Sequence, residues 1–281
     1  MVLRYDKFEW HGHRTFERMV AHPPMRVPVS MPEEACFYYL VRGRGRTYAP
    51  HQVIDHAAQE GLALHCGNYF TECLPTGGND SFEVIAVHLP PPVLEWVYGP
   101  DLGEWLTETD RVEPATYLRY PAEVLLRKYM DGLRFYFENP ELVSEELQRL
   151  KFRELFLLLA RTDEVGPLRS LLQRLFAPTD VDFRTVVETH LFERLSLAEL
   201  AHLAGRSLSS FKRDFARLFG EPPAAYLRRR RLERAAELLR ATTDQVAHVA
   251  YDCGFRSQAH FARLFRATYG QSPTAYRRAR G

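Results

Sequence analysis

The sequence predicts an α+β chain with a small β-barrel, helices that follow it, and a C-terminal all-α domain. Short β-rich runs separated by glycine-rich turns occupy about residues 1–89, as in small barrels and sandwiches. Apolar residues at helical spacing follow over about residues 90–177. Near the C-terminus, one pattern of aromatic, glycine and proline residues occurs twice, fifty residues apart. Such a repeat indicates two copies of one helical unit.

The predicted strands are the β-rich runs in the first third of the chain. They comprise residues 37–41, 62–64, 68–71 and 82–87. The first run ends at Gly43 and Gly45, and a glycine-rich stretch at residues 75–79 precedes the last. Glycine and proline clusters of this kind are typical of turns between strands.

Two helices are predicted over residues 121–139 and 141–161. The apolar stripe of the second consists of Leu147, Leu150, Leu155, Leu158 and Leu159. Periodicity does not tell which surface such a stripe contacts. The helices either cover the barrel or form a dimer interface. A short helix at residues 168–176 and a linker at 177–180 then separate a domain of residues 1–177 from one of residues 178–281.

The net charge of +1 hides an asymmetry between these two domains. Residues 178–281 contain 18 Lys and Arg against 11 Asp and Glu, and residues 1–177 contain 19 against 25. A basic domain joined to an acidic one indicates a polyanionic partner for the C-terminal domain. The four cysteines form no C-x2-C pair, and no apolar run is long enough for a signal peptide or a membrane span. We therefore expect a reduced cytoplasmic protein without membrane contact.

The repeat keeps its register over most of each unit. Ser207, Phe211, Phe215, Gly220, Pro223 and Tyr226 recur fifty residues later as Ser257, Phe261, Phe265, Gly270, Pro273 and Tyr276. Ala201 and Gly205 recur 49 residues later as Ala250 and Gly254. One residue is thus inserted in the turn of the second copy. Two helices joined by a short glycine turn are the pattern of a helix-turn-helix unit.

Capping signals define the helices of each unit. Ser196-x-x-Glu199 predicts a capping box, Ser207 and Ser257 predict the starts of the second helices, and Gly220 and Gly270 predict their ends. Thr243 is predicted to cap a helix at residues 244–253, and residues 224–240 are predicted to connect the two units. The faces that point inward are expected to contain Phe211, Phe215 and Leu218 in the first copy, and Phe261, Phe265 and Thr268 in the second.

The opposite faces of the second helices are the candidate DNA-binding surface. The candidate residues are Ser207, Ser209, Lys212 and Arg213 in the first copy, and Ser257, Gln258, His260 and Arg263 in the second. Lys and Arg suit the guanine edge and Gln suits the adenine edge, while the two serines can contact phosphate at a helix N-terminus. For each single side chain, solvation or contact with phosphate alone is the alternative to base readout.

Four consecutive arginines, residues 228–231, lie on the predicted connecting helix. They point all round a helix, so no more than two can face one duplex. We predict a phosphate contact for Arg231, which shares an edge with Arg234. The alternative is a solvated charge run.

The second copy carries a long motif that identifies a family resemblance. Its residues are Ala250-x3-Gly254-Phe255-x-Ser257-x3-Phe261-x3-Phe265-x4-Gly270-x2-Pro273-x2-Tyr276-Arg277. Together with the first copy and the connecting helix, residues 183–280 resemble the AraC/XylS family of bacterial transcription regulators. The resemblance implies binding of promoter DNA through both units in adjacent major-groove segments, and activation of RNA polymerase. Two residues of the first copy depart from expectation: Arg206 replaces an apolar residue, and Asp214 must point away from phosphate.

The N-terminal domain is similar to the cupin-like sensing domain of that family. This similarity implies a barrel that binds a small-molecule effector or responds to a regulatory protein, and helices within residues 121–161 that form a homodimer. From the residues themselves, Tyr39, Tyr48 and Tyr69 are candidates for lining an effector pocket with a mostly apolar ligand; the alternative for each is the structural core.

Other chemistry is weakly supported. His11-x-His13-x3-Glu17 matches part of a cupin metal motif, and His51, His56, His65 and His88 could converge inside a barrel, but surface or core histidines are the more ordinary interpretation. No nucleophile motif occurs, and we expect no cofactor, no metal and no catalysis. The alternatives to a transcription regulator are a cupin-type metalloenzyme with a DNA-binding appendage and an architectural DNA binder with an inert barrel.

Overall fold

The computed structural model describes residues 1–31, 34–77, 81–99, 117–121, 123–162 and 182–278. The chain divides into an N-terminal unit, which contains residues 1–49 and 53–180, and a C-terminal unit, which contains residues 181–281. The predicted helix at residues 168–176, the linker at 177–180 and the boundary after residue 177 lie outside the described residues. Among the described residues, no helix combines the length and apolar character needed to cross a bilayer.

The N-terminal unit contains two antiparallel sheets. Its strands are β1 Val2–Trp10, β2 His13–Ala21, β3 Met25–Met31, β4 Ala35–Arg42, β5 Arg44–Ala49, β6 Gln52–Ala57, β7 Gly61–Leu64, β8 Gly67–Leu74, β9 Phe82–Leu89 and β10 Tyr117–Tyr120. The order is β1-β2-β9-β4-β7-β10 in one sheet and β3-β8-β5-β6 in the other. All four predicted strands are confirmed as β4, β7, β8 and β9, and the β-barrel class is confirmed with them.

The central strands β9 and β4 of the six-stranded sheet are largely buried on both faces, and their successive side chains point to opposite faces. On β4, Cys36 and Leu40 belong to clusters inside the barrel, whereas Phe37 and Tyr39 belong to the cluster that includes the helices. Every residue of β9 is buried. Strands buried on both faces have nearly continuous apolar sequences, which explains why β4 and β9 are the two strands most easily predicted from the sequence.

Three helices pack on the outer face of this sheet: α1 Pro91–Tyr98, α2 Val124–Glu138 and α3 Glu145–Thr162. Ring pairs connect the layers, with Phe8 stacked on Phe137 at 4.9 Å and Phe16 against Phe152 at 4.6 Å between ring centroids. Leu155 and Leu159 are buried there, as the stripe predicts. Leu150 is not part of the buried stripe, since 53% of it is exposed; its place is taken by Phe152 and Phe156.

A buried carboxylate fixes α2 to the sheet. Glu83 on β9 is fully buried and accepts hydrogen bonds from Arg18 (2.9 Å), Arg42 (2.9 Å) and Arg134 (2.9 Å). Burial alone raises the pKa of Glu83, but the three guanidinium groups outweigh it and the pKa is lowered. Because an ionised group of this kind is stable in the core only when paired, Arg134 holds α2 at one position over the sheet.

The C-terminal unit is all-α. Its helices are α4 Phe183–Thr189, α5 Leu197–Leu203, α6 Leu208–Phe219, α7 Pro223–Ala241, α8 Val246–Asp252, α9 Gln258–Tyr269 and α10 Pro273–Arg278. The two units of the repeat are therefore α5 with α6, and α8 with α9, joined by α7. This arrangement confirms the all-α tandem helix-turn-helix architecture.

The predicted caps are confirmed with one exception. Ser196 and Glu199 form the capping box, and Ser207 and Ser257 accept backbone N–H bonds at the starts of α6 and α9. Both helices end at a glycine in the left-handed conformation, Gly220 with φ 75° and Gly270 with φ 76°. Thr243 does not cap α8, because that helix begins at Val246 after Gln245.

The inward faces form two equivalent ladders of aromatic rings. Phe211 and Phe215 lie 5.7 Å apart, and Phe261 and Phe265 lie 5.4 Å apart, measured between ring centroids. A tyrosine at the start of the next helix meets each ladder edge-on: Tyr226 at 5.5 Å from Phe215 and Tyr276 at 5.2 Å from Phe265. Leu218 and Thr268 were predicted to face inward, and this prediction is wrong: both are exposed. The aromatic residues one position later, Phe219 and Tyr269, occupy the third place instead.

The departure at Arg206 is compensated from outside the repeat. In the second copy Phe255 is buried and lies 5.0 Å from Phe261. Arg206 occupies the corresponding position in the first copy and is exposed. There, Phe183 of α4 lies 5.1 Å from Phe211 and completes the ladder. The additional helix therefore supplies the ring that the first copy lacks.

Arg231 connects the two helix-turn-helix units, which corrects its predicted role as a phosphate contact. From α7 it donates to the carbonyl oxygens of Leu191 (2.8 Å) and Glu193 (2.6 Å), just before the first unit, and of Gly254 (3.1 Å) in the turn of the second. Burial lowers the pKa of its guanidinium. With its donors directed at three backbone carbonyls, the side chain is a structural bridge.

Gly254 makes this bridge sterically feasible. Its φ is 78°, and a Cβ at that position would lie 2.5 Å from the carbonyl oxygen of Phe192 and 3.0 Å from the Arg231 guanidinium. Glycine is thus required twice, by the left-handed backbone and by the close approach.

We expect Arg231→Met to lower the free energy of unfolding of the C-terminal unit by about 2–4 kcal/mol, because three buried carbonyl groups lose a charged donor. Urea denaturation of the full chain, followed by circular dichroism, measures the change. Arg228→Met is the control; it replaces an exposed arginine of the same helix and should change the value by less than about 0.5 kcal/mol. Unchanged stability together with a shallower salt dependence of DNA binding would instead support the phosphate contact.

Candidate nucleic-acid interface and barrel cavity

The first candidate recognition helix is α6. Ser207 lies before it, and its Oγ accepts from the backbone N–H of Ser210 at 3.2 Å. Ser209, Lys212 and Arg213 are exposed, whereas Phe211 and Phe215 are buried. The predicted residues therefore lie on the solvent face, where they are free to contact a polyanion.

Asp214 lies at the edge of this face, among three arginines. Its carboxylate is within 4 Å of Arg206 (3.9 Å), Arg213 (3.8 Å) and Arg217 (3.8 Å). Only 21% of its side chain is exposed, against 82% for Arg217. The negative charge is surrounded by positive charge, so it does not oppose an approaching phosphate as a bare carboxylate would.

The second candidate recognition helix, α9, has a different surface. Gln258, His260 and Arg263 are exposed, and Ser257 accepts from the backbone N–H of His260 at 3.4 Å. Ala259 is also exposed, which leaves the first turn with little side-chain bulk on that side. By the fifty-residue offset Arg263 matches Arg213, but an alanine stands where the first copy has Lys212. Only one long cation is shared by the two faces.

Sequence reasoning missed other cations on this surface. Arg217 follows Arg213 by one helical turn, so its exposed position was predictable from periodicity alone. Arg256 lines a cleft of about 390 Å³ between the two helix-turn-helix units, together with Arg228, Arg231 and the predicted residue His260. Arg256 comes from the one-residue-longer turn of the second copy, and no periodic signal marks it.

A cavity of about 250 Å³ lies inside the barrel. Its walls are mainly apolar and include Met19, Val29, Met31, Val84 and Ala86. Tyr38 also lines it, and within the described part of the chain the buried Tyr38 hydroxyl has no hydrogen-bond partner. Burial raises the pKa of this hydroxyl well above its usual value. The cavity thus offers an apolar body with a neutral hydrogen-bonding group, as small-molecule sites commonly do.

One end of the cavity is polar. His88 lies between two carboxylates, with Nδ1 at 3.2 Å from Glu34 and Nε2 at 3.5 Å from Glu17. Burial lowers the pKa of His88, but its contacts with Glu17 and Glu34 outweigh this and the pKa is raised. Arg14 lies 3.1 Å from Glu17 and 3.7 Å from Glu34. Both carboxylates of this cluster therefore already have partners, Arg14 and His88.

The three predicted effector tyrosines do not share a pocket, which corrects that grouping. Tyr69 lines the barrel cavity, but its hydroxyl donates to the carbonyl of His65. Tyr48 alternates with Thr47 and Ala49 of the barrel interior, and its hydroxyl donates to Glu72 at 3.0 Å. Tyr39 lies on the helix-covered face of the sheet. Successive side chains of a strand point to opposite faces of the sheet, so the face on which each tyrosine lies depends on the register of its strand.

The histidines likewise do not assemble into a metal site. His88 is paired with glutamates, His65 contacts Cys66, and His56 contacts Thr47. Burial lowers the pKa of His56 to about 4. In the part of the chain that the structure describes, no group of three or more His, Cys, Asp or Glu side chains is placed to hold a metal ion.

Two known domain families match the chain. Residues 35–171 match the ExsA N-terminal regulatory domain, and residues 200–279 match a helix-turn-helix domain. Among curated relatives, the chain is 28% identical over 252 residues to the HTH-type transcriptional regulator ExsA of Pseudomonas aeruginosa, which covers 88% of this chain and 87% of the relative. It is 25% identical over 242 residues to the virulence regulon transcriptional activator VirF of Yersinia enterocolitica, covering 85% and 88%.

A third relative is the HTH-type transcriptional activator AarP of Providencia stuartii. The identity is 40% over 91 residues, which are 32% of this chain and 67% of that relative. The tandem helix-turn-helix geometry, the exposed basic helix faces and these similarities agree. The chain belongs to the AraC/XylS family of DNA-binding transcription regulators.

Proposed function

We propose that this chain activates transcription by placing α6 and α9 in successive major-groove segments of a promoter. The observation that carries the proposal is that every predicted base-reading side chain on these two helices is solvent-exposed, while the aromatic ladders occupy their opposite faces. Two relatives that it resembles are named activators. Arg213 and Arg263 read guanine edges in this scheme, Lys212 and Gln258 read neighbouring bases, and Ser207 and Ser257 contact phosphates.

The N-terminal unit supplies control in this proposal. The match to a regulatory domain supports a sensing role, and the barrel cavity provides a site for a small, mostly apolar effector. A regulatory protein that acts on the same domain is the second candidate. The regulator works in the cytoplasm, where promoter DNA and RNA polymerase are found, and it has no catalytic role of its own.

A homodimer through α2 and α3 completes the proposal. Leu150 and Leu157 are exposed by 53% and 69% and lie seven residues apart on one face of α3. On α2, Leu125 and Phe135 are exposed by 54% and 53%. Exposed apolar residues at helical spacing indicate a protein contact surface rather than a solvated one.

Arg213→Ala and Arg263→Ala should each weaken binding to a promoter fragment selected from genomic DNA, by about 1–3 kcal/mol, and relax specificity at one position. Fluorescence anisotropy at fixed salt measures the affinity. Arg229→Ala is the control, because that guanidinium is committed to Glu221 at 2.7 Å and Glu233 at 3.0 Å. Equal losses in all three variants would show that general charge, and not these helix faces, determines affinity.

An effector of the barrel should raise the melting temperature of the full chain, since it binds only the folded state. We expect hits in a thermal-shift screen among small apolar molecules with one hydrogen-bonding group. Ala86→Leu fills part of the cavity and should abolish the shift, whereas Tyr39→Phe, on the opposite face of the sheet, should preserve it. A compound that stabilises wild type and Ala86→Leu equally binds elsewhere and contradicts the barrel site.

Leu150→Glu with Leu157→Glu should convert a dimer into a monomer in analytical ultracentrifugation, because each charge would be buried unpaired in the interface. The unfolding transition should stay within about 0.5 kcal/mol, since both side chains are exposed in the single chain. Leu3→Glu, an exposed leucine of β1, serves as the control. A double variant that remains dimeric would place the interface on another surface.

A further inference from the structure

A second cleft lies outside the barrel, between the six-stranded sheet and α2. Its volume is about 460 Å³, and most of its lining is polar. Arg127, Met130, Asp131 and Arg134 line it from one face of α2. From the sheet side it is lined by Tyr39 and Val41 of β4, Arg42, Glu83, and Ala58 and Gln59 of the β6–β7 turn. Neither the predicted DNA surface nor the barrel cavity uses these groups.

Tyr39 brings an unused hydroxyl to this cleft. The residue is 2% exposed, and its Oη has no hydrogen-bond partner among the residues that the structure describes. Burial raises the pKa of Tyr39, with Asp131 raising it further and Arg127 lowering it. Asp131 and Arg127 line the same cleft as Tyr39. A buried polar group without a partner costs free energy. A ligand acceptor in the cleft would remove that cost.

Among the charged side chains that line the cleft, that of Arg127 is available to bind an anion. Glu83 is already bonded to Arg18, Arg42 and Arg134, and Asp131 lies 3.8 Å from Arg134. Arg127 has no ion pair or side-chain hydrogen bond with any other described residue. The lining thus has three guanidinium groups, those of Arg42, Arg127 and Arg134, and two carboxylates, those of Glu83 and Asp131. Glu83 also bonds to a fourth arginine, Arg18, beneath the cleft.

Gln59 is held in an unusual backbone conformation at the rim. Its φ is 69°, and its N–H donates to the carbonyl of Leu40 at 2.6 Å. Non-glycine residues in the left-handed region are uncommon and concentrate at functional sites. The turn presents an amide side chain to the cleft, in addition to the guanidinium and hydroxyl donors.

We infer that this cleft binds a small organic oxyanion, a carboxylate or a phosphate ester. Arg127 forms the ion pair, and Tyr39 and Gln59 donate hydrogen bonds to the same anionic group. Guanidinium groups favour both oxyanions because their donors match two oxygens at once. The site is separate from the barrel cavity, so a regulator of this kind can respond to two different ligands.

The position of the cleft connects ligand binding to α2. An anion bound to Arg127 and Tyr39 would bridge the helix to β4, in addition to the Arg134–Glu83 contact. The exposed side of α2 also carries Leu125 and Phe135, which belong to the proposed dimer surface. Binding would therefore stabilise one position of that surface, which is a coupling between two sites through one rigid element.

Calorimetric titration of the full chain with malonate and, separately, with inorganic phosphate at matched ionic strength tests the inference. Arg127→Gln should weaken binding of the active probe by at least about tenfold, and Tyr39→Phe by about three- to tenfold. Lys128→Gln is the matched control: it removes an exposed cation from the next position of the same helix and should leave the affinity unchanged. Ala86→Leu, in the barrel, should also leave it unchanged.

The outcomes are distinct. A response to malonate alone identifies a carboxylate site, and a response to phosphate alone identifies a phosphate site. Binding that survives in Arg127→Gln comes from other basic surfaces, such as the DNA-binding unit, and overturns the inference. Absence of binding by both probes overturns it as well. The outcome of the barrel-effector screen does not affect either result.

Discussion

The structure of the C-terminal unit depends on the bridge made by Arg231. Two helix-turn-helix units of seven- and twelve-residue helices have small separate cores, and a helix such as α7 fixes their distance but not their rotation. Arg231 adds that second constraint, because its planar guanidinium bonds to backbone on both sides and tolerates little change of angle. Gly254 has no side chain and therefore leaves room for this guanidinium. The geometry of the two recognition helices thus rests on a buried cation that never needs to contact DNA.

In the N-terminal unit a carboxylate, rather than a guanidinium, fixes the packing of neighbouring elements. Buried Glu83 gathers three arginines from two neighbouring strands and α2, so the helix layer is placed by charge as well as by apolar packing. Apolar contacts allow a helix to slide or rotate with small changes in energy, whereas a buried ion pair does not. The position of α2 matters because this helix carries both residues of the Tyr39 cleft and apolar residues proposed for dimer contact.

Sequence alone predicted the repeat well because each of its signals is local. Ser207, Ser257, Gly220 and Gly270 act within one helical turn, so their roles follow from spacing. Arg231 could not be assigned this way: its partners lie 23 to 40 residues away, and nothing in a run of four arginines marks one as buried. Tyr39, Tyr48 and Tyr69 failed as a group for a related reason, since the face of each strand depends on its register with distant partners. β1 and β3 were missed because their exposed residues break the apolar alternation.

The two recognition helices differ in side chains although their backbones repeat. Lys212, Arg213 and Arg217 are the exposed cations of α6, whereas α9 has Arg263 and Arg266 together with Gln258 and exposed alanines. In the proposed function, one chain therefore contacts two unlike half-sites in a fixed order, so the two ends of its DNA target differ. A binding surface with two unlike halves distinguishes a DNA site from the same bases in inverted orientation, so the orientation of the site in a control region matters.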